Sequence, residues 1–139
     1  MRRKKEIRFC LQCHKELSGR SVKFCDSSCQ QRFLLLQYCD LVKKLGFFPR
    51  EDSYPAGTRA KRVLMELNGN YCSICKEKEW MGKPIPLVFD HIDGNASNWN
   101  LDNCRLICPN CDHQLPTFAG RNSGKGRKYR KKYYTAPVR

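Results

Sequence analysis

Apolar residues fall in four short groups along this chain, and each group has its own period. Leu34, Tyr38, Leu41 and Leu45 recur at helical spacing. Ser27 or Ser28 can cap that helix, and Gly46 with Pro49 beyond it marks the stop. Ala60, Val63, Leu64 and Leu67 form one face of a second, shorter helix capped by Thr58 and ended by Asn68-Gly69, with Arg59, Lys61 and Arg62 on other faces. The period then changes. Residues 84–89 form a short apolar run bounded by prolines and read as a strand, Asp93-Gly94 is a turn signal, and the Asn-rich stretch to Asp102 is too polar for regular structure. Arg105-Leu106-Ile107 reads as the returning strand, and a short helix can begin at Asn110. Strand, loop, strand and helix in that order, behind two helices, predict a small α+β protein. Its divisions are a basic arm with a first unit over 1–46, a linker rich in Pro and Gly over 47–57, a second unit over 58–122 and a tail over 123–139.

Such a chain has little core to rely on. At 139 residues, 40% of them hydrophobic, it needs a further source of stability, and ten cysteines supply it. Met1 to Lys5 is charged and the apolar stretch after Arg8 is too short for a signal peptide, so reduced thiols binding metal are expected rather than disulfides. Cys10 and Cys13 form a CxxC pair, and Cys25 with Cys29 forms a CxxxC pair eleven residues on, around a loop tip at Ser18-Gly19-Arg20-Ser21. Four thiolates in two tight turns can surround one Zn²⁺ tetrahedrally. Cys72 and Cys75 find their complement in Cys108 and Cys111, thirty-two residues downstream, for a second zinc. Both ions are structural, because four thiolates leave no open position. His14 reads as a surface residue and Cys39 and Cys104 as buried apolar ones, while Tyr71 and Trp80 are expected to pack around the second zinc.

The charge is +14, from 27 Lys and Arg against 13 Asp and Glu, and no acidic residue follows Asp112. Arg121, Lys125, Arg127, Lys128, Arg130, Lys131 and Lys132 alternate with Tyr129, Tyr133 and Tyr134. Basic residues interleaved with aromatics suit phosphate contact and base stacking, so the expected partner is nucleic acid. No apolar run reaches membrane-spanning length. A cytoplasmic protein without a membrane partner, monomeric or weakly dimeric, is the expectation.

Residues 90–113 carry the reactive groups. Phosphodiester hydrolysis needs a base for water and a cation for the phosphate charge. Imidazole serves the first need, and hard oxygen ligands holding Mg²⁺ serve the second. Asp90-His91 offers both kinds of group at a strand end, provided that the strand stops or bulges there so that neighbouring side chains can converge. Asp90-His91-Ile92-Asp93-Gly94-Asn95, then Asn103, then Leu106-Ile107-Cys108-Pro109-Asn110-Cys111 closely resemble the HNH endonucleases of the ββα-metal class, in their small zinc-bearing phage and prophage form. The resemblance runs from about Arg59 to Asn122. It implies an N-terminal four-cysteine zinc finger with a helix followed by a zinc-stapled, treble-clef-like ββα nuclease core acting on double-stranded DNA, in a bacterial or phage-infected cell. It further implies His91 as general base, Asn103 as the residue bracing the loop, with Asn95, Asn98 and Asn100 as weaker candidates, and Asp90 as a ligand of a catalytic Mg²⁺. The family's last histidine follows the second CxxC directly, where this chain has Asp112. Asp112 as second metal ligand is one reading, and His113 in that place is another. A third is a degenerate site on a zinc-finger DNA-binding or regulatory protein. Arg105 and Arg121 are further candidates for phosphate contact.

Overall fold

The structure is a computed structural model describing residues 7–49 and 56–122, so Lys125, Arg127, Lys128 and Arg130 lie outside the described residues. The chain divides into two compact units between Leu41 and Val42.

In the first unit a knuckle leads into a helix. Phe9 bridges Glu16, Leu17 donates to the Arg8 carbonyl (2.7 Å), and the CxxC turn closes with His14 N–H on the Cys10 carbonyl at 2.9 Å. His14 itself sits in the left-handed region, φ 58°, and its contribution there is backbone geometry. Helix α1 spans Ser27–Leu45. Its cap is Asp26 rather than Ser27 or Ser28: the Asp26 carboxylate accepts from Cys29 N–H at 2.8 Å and its carbonyl from Gln30 N–H at 3.2 Å. That N–H holds the Asp26 carboxyl below its ordinary value. The expected apolar stripe is rotated. Tyr38 and Cys39 are buried, as is Val42 in the second unit, whereas Leu34, Leu41 and Leu45 are exposed.

The second unit holds the remaining elements. Gly46 ends α1 at φ 74° with its N–H on the Val42 carbonyl (2.9 Å). Helix α2 spans Ala56–Asn68, two residues earlier than Thr58 implies, and buries Ala60, Val63 and Leu64 as expected. It packs against two antiparallel strands, β3 (Val88–His91) and β4 (Cys104–Ile107). Lys61 turns its ammonium onto the Leu87 carbonyl, so this residue of the basic face is engaged within the fold. The β3–β4 register pairs Val88 with Ile107, Phe89 with Leu106, Asp90 with Arg105 and His91 with Cys104. Helix α3 begins at Pro109, follows β4 directly, runs to Gln114 and packs on β3.

The core of this unit is Val42, Phe48, Val63, Leu64, Leu87, Leu106 and Ile107, with Cys72, Cys104 and Cys108. One feature of this unit has no counterpart in the sequence reading. The run expected as one strand is broken by its prolines, and Lys83–Pro84 forms β2 of a separate hairpin with β1, Glu79–Trp80. Trp80 is 66% exposed there and does not pack around the second cysteine group; among the described residues its hairpin has two strands. Tyr71 is half-buried against Gly69, where an added Cβ would come within 3.0 Å of the ring.

Candidate active site and the two cysteine quartets

Cys10, Cys13, Cys25 and Cys29 bring their sulfurs within 4.8 Å of one another, and so do Cys72, Cys75, Cys108 and Cys111. Tetrahedral Zn²⁺ with Zn–S near 2.3 Å requires sulfurs about 3.8 Å apart. Observed separations are 3.6 Å for Cys13–Cys25, 3.4 Å for Cys25–Cys29 and 3.8 Å for Cys75–Cys108. The donor sets therefore fit two structural zinc ions. Both quartets use the same knuckle: Cys72 N–H donates to the Glu77 carbonyl and Lys76 N–H to the Cys72 carbonyl, as Cys10 and His14 do in the first, and Lys76 repeats the left-handed backbone of His14. The second quartet also shapes α3, since the Cys108 thiol caps its first turn by accepting from Cys111 N–H.

Burial opposes charge on Cys10 and Cys72, yet converging backbone N–H groups outweigh it and lower each thiol to about 6. Those N–H groups come from Cys13, Cys25 and Gln12 in one case and from Cys108, Cys75 and Ile74 in the other. Their neighbours go the other way: the Cys29 thiol pushes Cys25 up, and the Cys108 thiol with burial pushes Cys111 up to about 12. Without metal each quartet thus has one sulfur prepared to be a thiolate.

His91 closes β3 among aromatic rings. Phe89, two residues back on the same face, lies 5.0 Å from it, and Trp99 meets it edge-on at 4.9 Å while stacking on Phe89 at 5.4 Å. Phe48 completes the cluster at 6.3 Å from Trp99, and Phe48 N–H donates to the Trp99 carbonyl. The His91 Nε2 atom is buried. Strand β3 stays in register through His91 and then turns, with Gly94 N–H on the His91 carbonyl at 2.8 Å. Asp90 and His91 therefore leave opposite faces of the ladder. Asp90 meets Arg105, its partner across the ladder, with Nε–Oδ2 at 2.7 Å.

The loop between the strands is held by side chains. Asn103 donates from Nδ2 to Asp93 (2.9 Å) and to the Asn98 carbonyl (3.0 Å), and its Oδ1 accepts from Asp93 N–H at 3.1 Å. Asp93 also accepts from Asn95 N–H and Asn98 Nδ2, both at 2.8 Å. Burial would raise the Asp93 carboxyl, but these donors, led by Asn98, bring it below its ordinary value. Asp93 is the hub of this loop, more than the turn signal that Asp93-Gly94 gives in the sequence; four asparagines follow it there, and Asn95, Asn98 and Asn103 each supply a donor. Asn95 and Asn98 also accept from backbone N–H groups two residues on, so they are loop-forming Asx residues.

Asp112 lies half-buried in the first turn of α3, the helix packed on β3. His113, one residue further, is exposed and has its ring 4.6 Å from Phe118. Arg121 donates from Nη1 to the His113 and Leu115 carbonyls, both at 3.1 Å, which closes the end of α3. Among the described residues, the only groups of three or more Cys, His, Asp or Glu ligand atoms gathered for a metal are the two quartets. No helix among the described residues is long and apolar enough to cross a membrane.

No family model matches the chain, and no solved structure does. It is similar to the H-N-H endonuclease F-TflIV of Escherichia phage T5, with 46% identity over 65 residues, which is 46% of this chain and 29% of that protein. The chain thus spans less than a third of the length of the curated relative it matches. Over that segment it is a homologue of an HNH endonuclease.

Proposed function

We propose that the chain is a metal-dependent endonuclease that hydrolyses phosphodiester bonds in double-stranded DNA. The observation that carries this reading is the braced end of β3: His91 closes the strand, the Asn103–Asp93 lock fixes the turn behind it, and α3, the helix that includes Asp112, packs on that strand. The likeness to an endonuclease of phage T5 and the charge of +14 support the substrate class.

Asp90 and Asp112 supply carboxylate oxygens, which suit a hard cation such as Mg²⁺. When bound, such an ion would stabilise charge on the phosphate oxygens and on the departing 3′ oxygen. His91 takes a proton from the attacking water, whose oxygen bonds to phosphorus as the P–O3′ bond breaks; 5′-phosphate and 3′-hydroxyl ends result. The rings of Phe89 and Trp99 hold the imidazole in one orientation, which keeps it positioned for attack. Arg105, beside Asp90, places a guanidinium where a phosphate would come.

Two observations favour a second reading, a zinc-bearing DNA-binding protein without cleavage activity: Asp90 is already engaged by Arg105, and the strand stays in register through His91, so Asp90 and His91 leave opposite faces where the sequence expectation needs them to converge. Nicking of supercoiled plasmid separates the two. With Mg²⁺ or Mn²⁺ the wild-type chain should relax the plasmid, and His91→Ala should lose about 10²–10⁴-fold in rate at unchanged zinc content. Absence of His91-dependent cleavage over a range of metals leaves the second reading standing. Within the nuclease reading, Asp112→Ala should abolish cleavage and His113→Ala should retain it; the reverse result moves the ligand to His113.

A further inference from the structure

The β1–β2 hairpin spends its best-placed residues on solvent. Trp80 is 66% exposed and Met81 88% exposed at the turn. The two turn residues, Met81 at φ 49° and Gly82 at φ 73°, both have positive φ, as a two-residue type I′ connection requires. Glycine accepts that backbone without cost and asparagine or aspartate nearly so; methionine does not. A long apolar side chain is therefore kept where it neither packs nor suits the turn, and such departures mark sites with another use.

The hairpin register sorts its charges. Trp80 pairs with Lys83 and Glu79 with Pro84, and the Ile85 N–H on the Lys78 carbonyl (2.9 Å) extends the ladder by one step. Side chains alternate along each strand, so Lys78, Trp80 and Lys83 leave one face while Glu79 leaves the other. An exposed indole flanked by two lysines complements nucleic acid: π-face to base or sugar, ammonium groups to the flanking phosphates. The eight chain steps from Lys83 to His91 can span at most about 28 Å, the length of about eight base pairs, so a duplex held at His91 is long enough to meet this face as well.

We infer that the Lys78–Trp80–Met81–Lys83 face of the hairpin is a second DNA-contact surface, on which Trp80 lies against a base or sugar of the duplex and Met81 extends that apolar contact. The inference rests on the DNA reading proposed above. It assigns a part of affinity that belongs neither to the reacting groups nor to the basic tail.

The test uses the full zinc-loaded chain and a fluorescein-labelled 25-base-pair duplex, without added divalent metal, followed by anisotropy. Trp80→Ala should weaken binding about tenfold with the salt slope unchanged, and Trp80→Phe should restore most of it. Lys83→Ala should lower the slope of log K against log salt by about one. Met81→Asn supplies the separate check on folding, because Asn-Gly suits the turn better: its Tm should rise while its affinity falls several-fold. In a Trp99→Phe background, duplex should quench the emission of Trp80. Duplex affinity unchanged in Trp80→Ala and Met81→Asn, with Trp80 emission unmoved, overturns the hairpin contact while leaving the nuclease reading intact. A wild-type chain that binds no duplex at all overturns both, and plasmid nicking with His91→Ala as control then tells which failed first.

Discussion

The two cysteine quartets are built on one knuckle and do different work. The first closes about 20 residues, holding a turn, a loop and the start of α1; the second closes about 40, and within it lie both hairpin strands, β3, the Asp93 loop and β4. Doubling the closed length adds only about 0.6 kcal/mol of loop entropy. Against the roughly 10–16 kcal/mol with which small zinc-finger peptides bind their metal, that difference is minor. In loop entropy the two closures are near equals, and they are unequal in what they position. One ties a local unit together, and the other fixes both ends of the segment that carries His91.

The largest effect should come from breaking that inequality directly. Cys108→Ser removes a ligand of the second quartet and the cap of α3 at once, so one zinc per chain should remain and plasmid cleavage should vanish. Cys13→Ser should also leave one zinc, yet retain cleavage within about tenfold, reflecting weaker DNA binding. Metal analysis beside a nicking assay decides it, and equal losses would show that the two quartets act as one.

Next is the lock inside the second loop. Asn103→Ala removes both bonds of a reciprocal pair, whereas Asp93→Ala removes only the one its carboxylate accepts and keeps its backbone N–H; each should lower kcat by about a hundredfold with zinc content and DNA affinity preserved. The double variant should be little worse than either single one, because the residues act as a unit. Additive losses would mean that Asn103 and Asp93 support His91 by separate routes.

The outline of this arrangement was legible in the sequence because ligand spacing and strand patterns are one-dimensional. CxxC pairs, the stop at Gly46, the α2 face of Ala60, Val63 and Leu64, and the β3–β4 pairing all follow from local rules. What was hidden depends on contacts between distant residues. Trp80 looks like a core residue by composition, and only its place on a two-stranded hairpin, where it is exposed among the described residues, shows that it is not. The Asp93 hub needs Asn98 and Asn103 folded back on it. The buried face of α1, at Tyr38, Cys39 and Val42, is set by what packs on the helix and not by the apparent stripe of Leu34, Leu41 and Leu45.

A smaller effect concerns acid, where the comparison predicts sameness. Cys10 and Cys72 are both lowered from 9 to about 6, so their contribution to the folded state is present above pH 9 and is lost as pH falls through 6. Protons compete with zinc for the remaining thiols of each quartet as well. Both ions should leave over the same narrow acidic window, followed with a chromogenic zinc indicator. Two well-separated release steps would show that the second fold protects its metal better than the first.

The smallest effect distinguishes the regions in alkali. Cys104 lies inside the second loop, opposite His91 in the ladder, and is not among the four sulfurs that surround the metal. Burial, with the carboxylates of Asp93 and Asp90 adding to it, pushes this thiol up to about 12. An acid raised in the folded state favours folding fully below its unfolded value near 9 and loses that contribution as pH rises through 12. The first loop, from Cys10 to Cys29, contains no cysteine beyond its four ligands, so it has no such liability. Cys104→Ala should cost about 1 kcal/mol at pH 8, and the difference in Tm from wild type should shrink above pH 9 and change sign before pH 11. In the zinc-loaded wild type at pH 8, iodoacetamide should leave Cys104 unmodified. Rapid alkylation there would mean that the β4 edge opens under native conditions, and the brace behind His91 would then be far looser than its hydrogen bonds indicate.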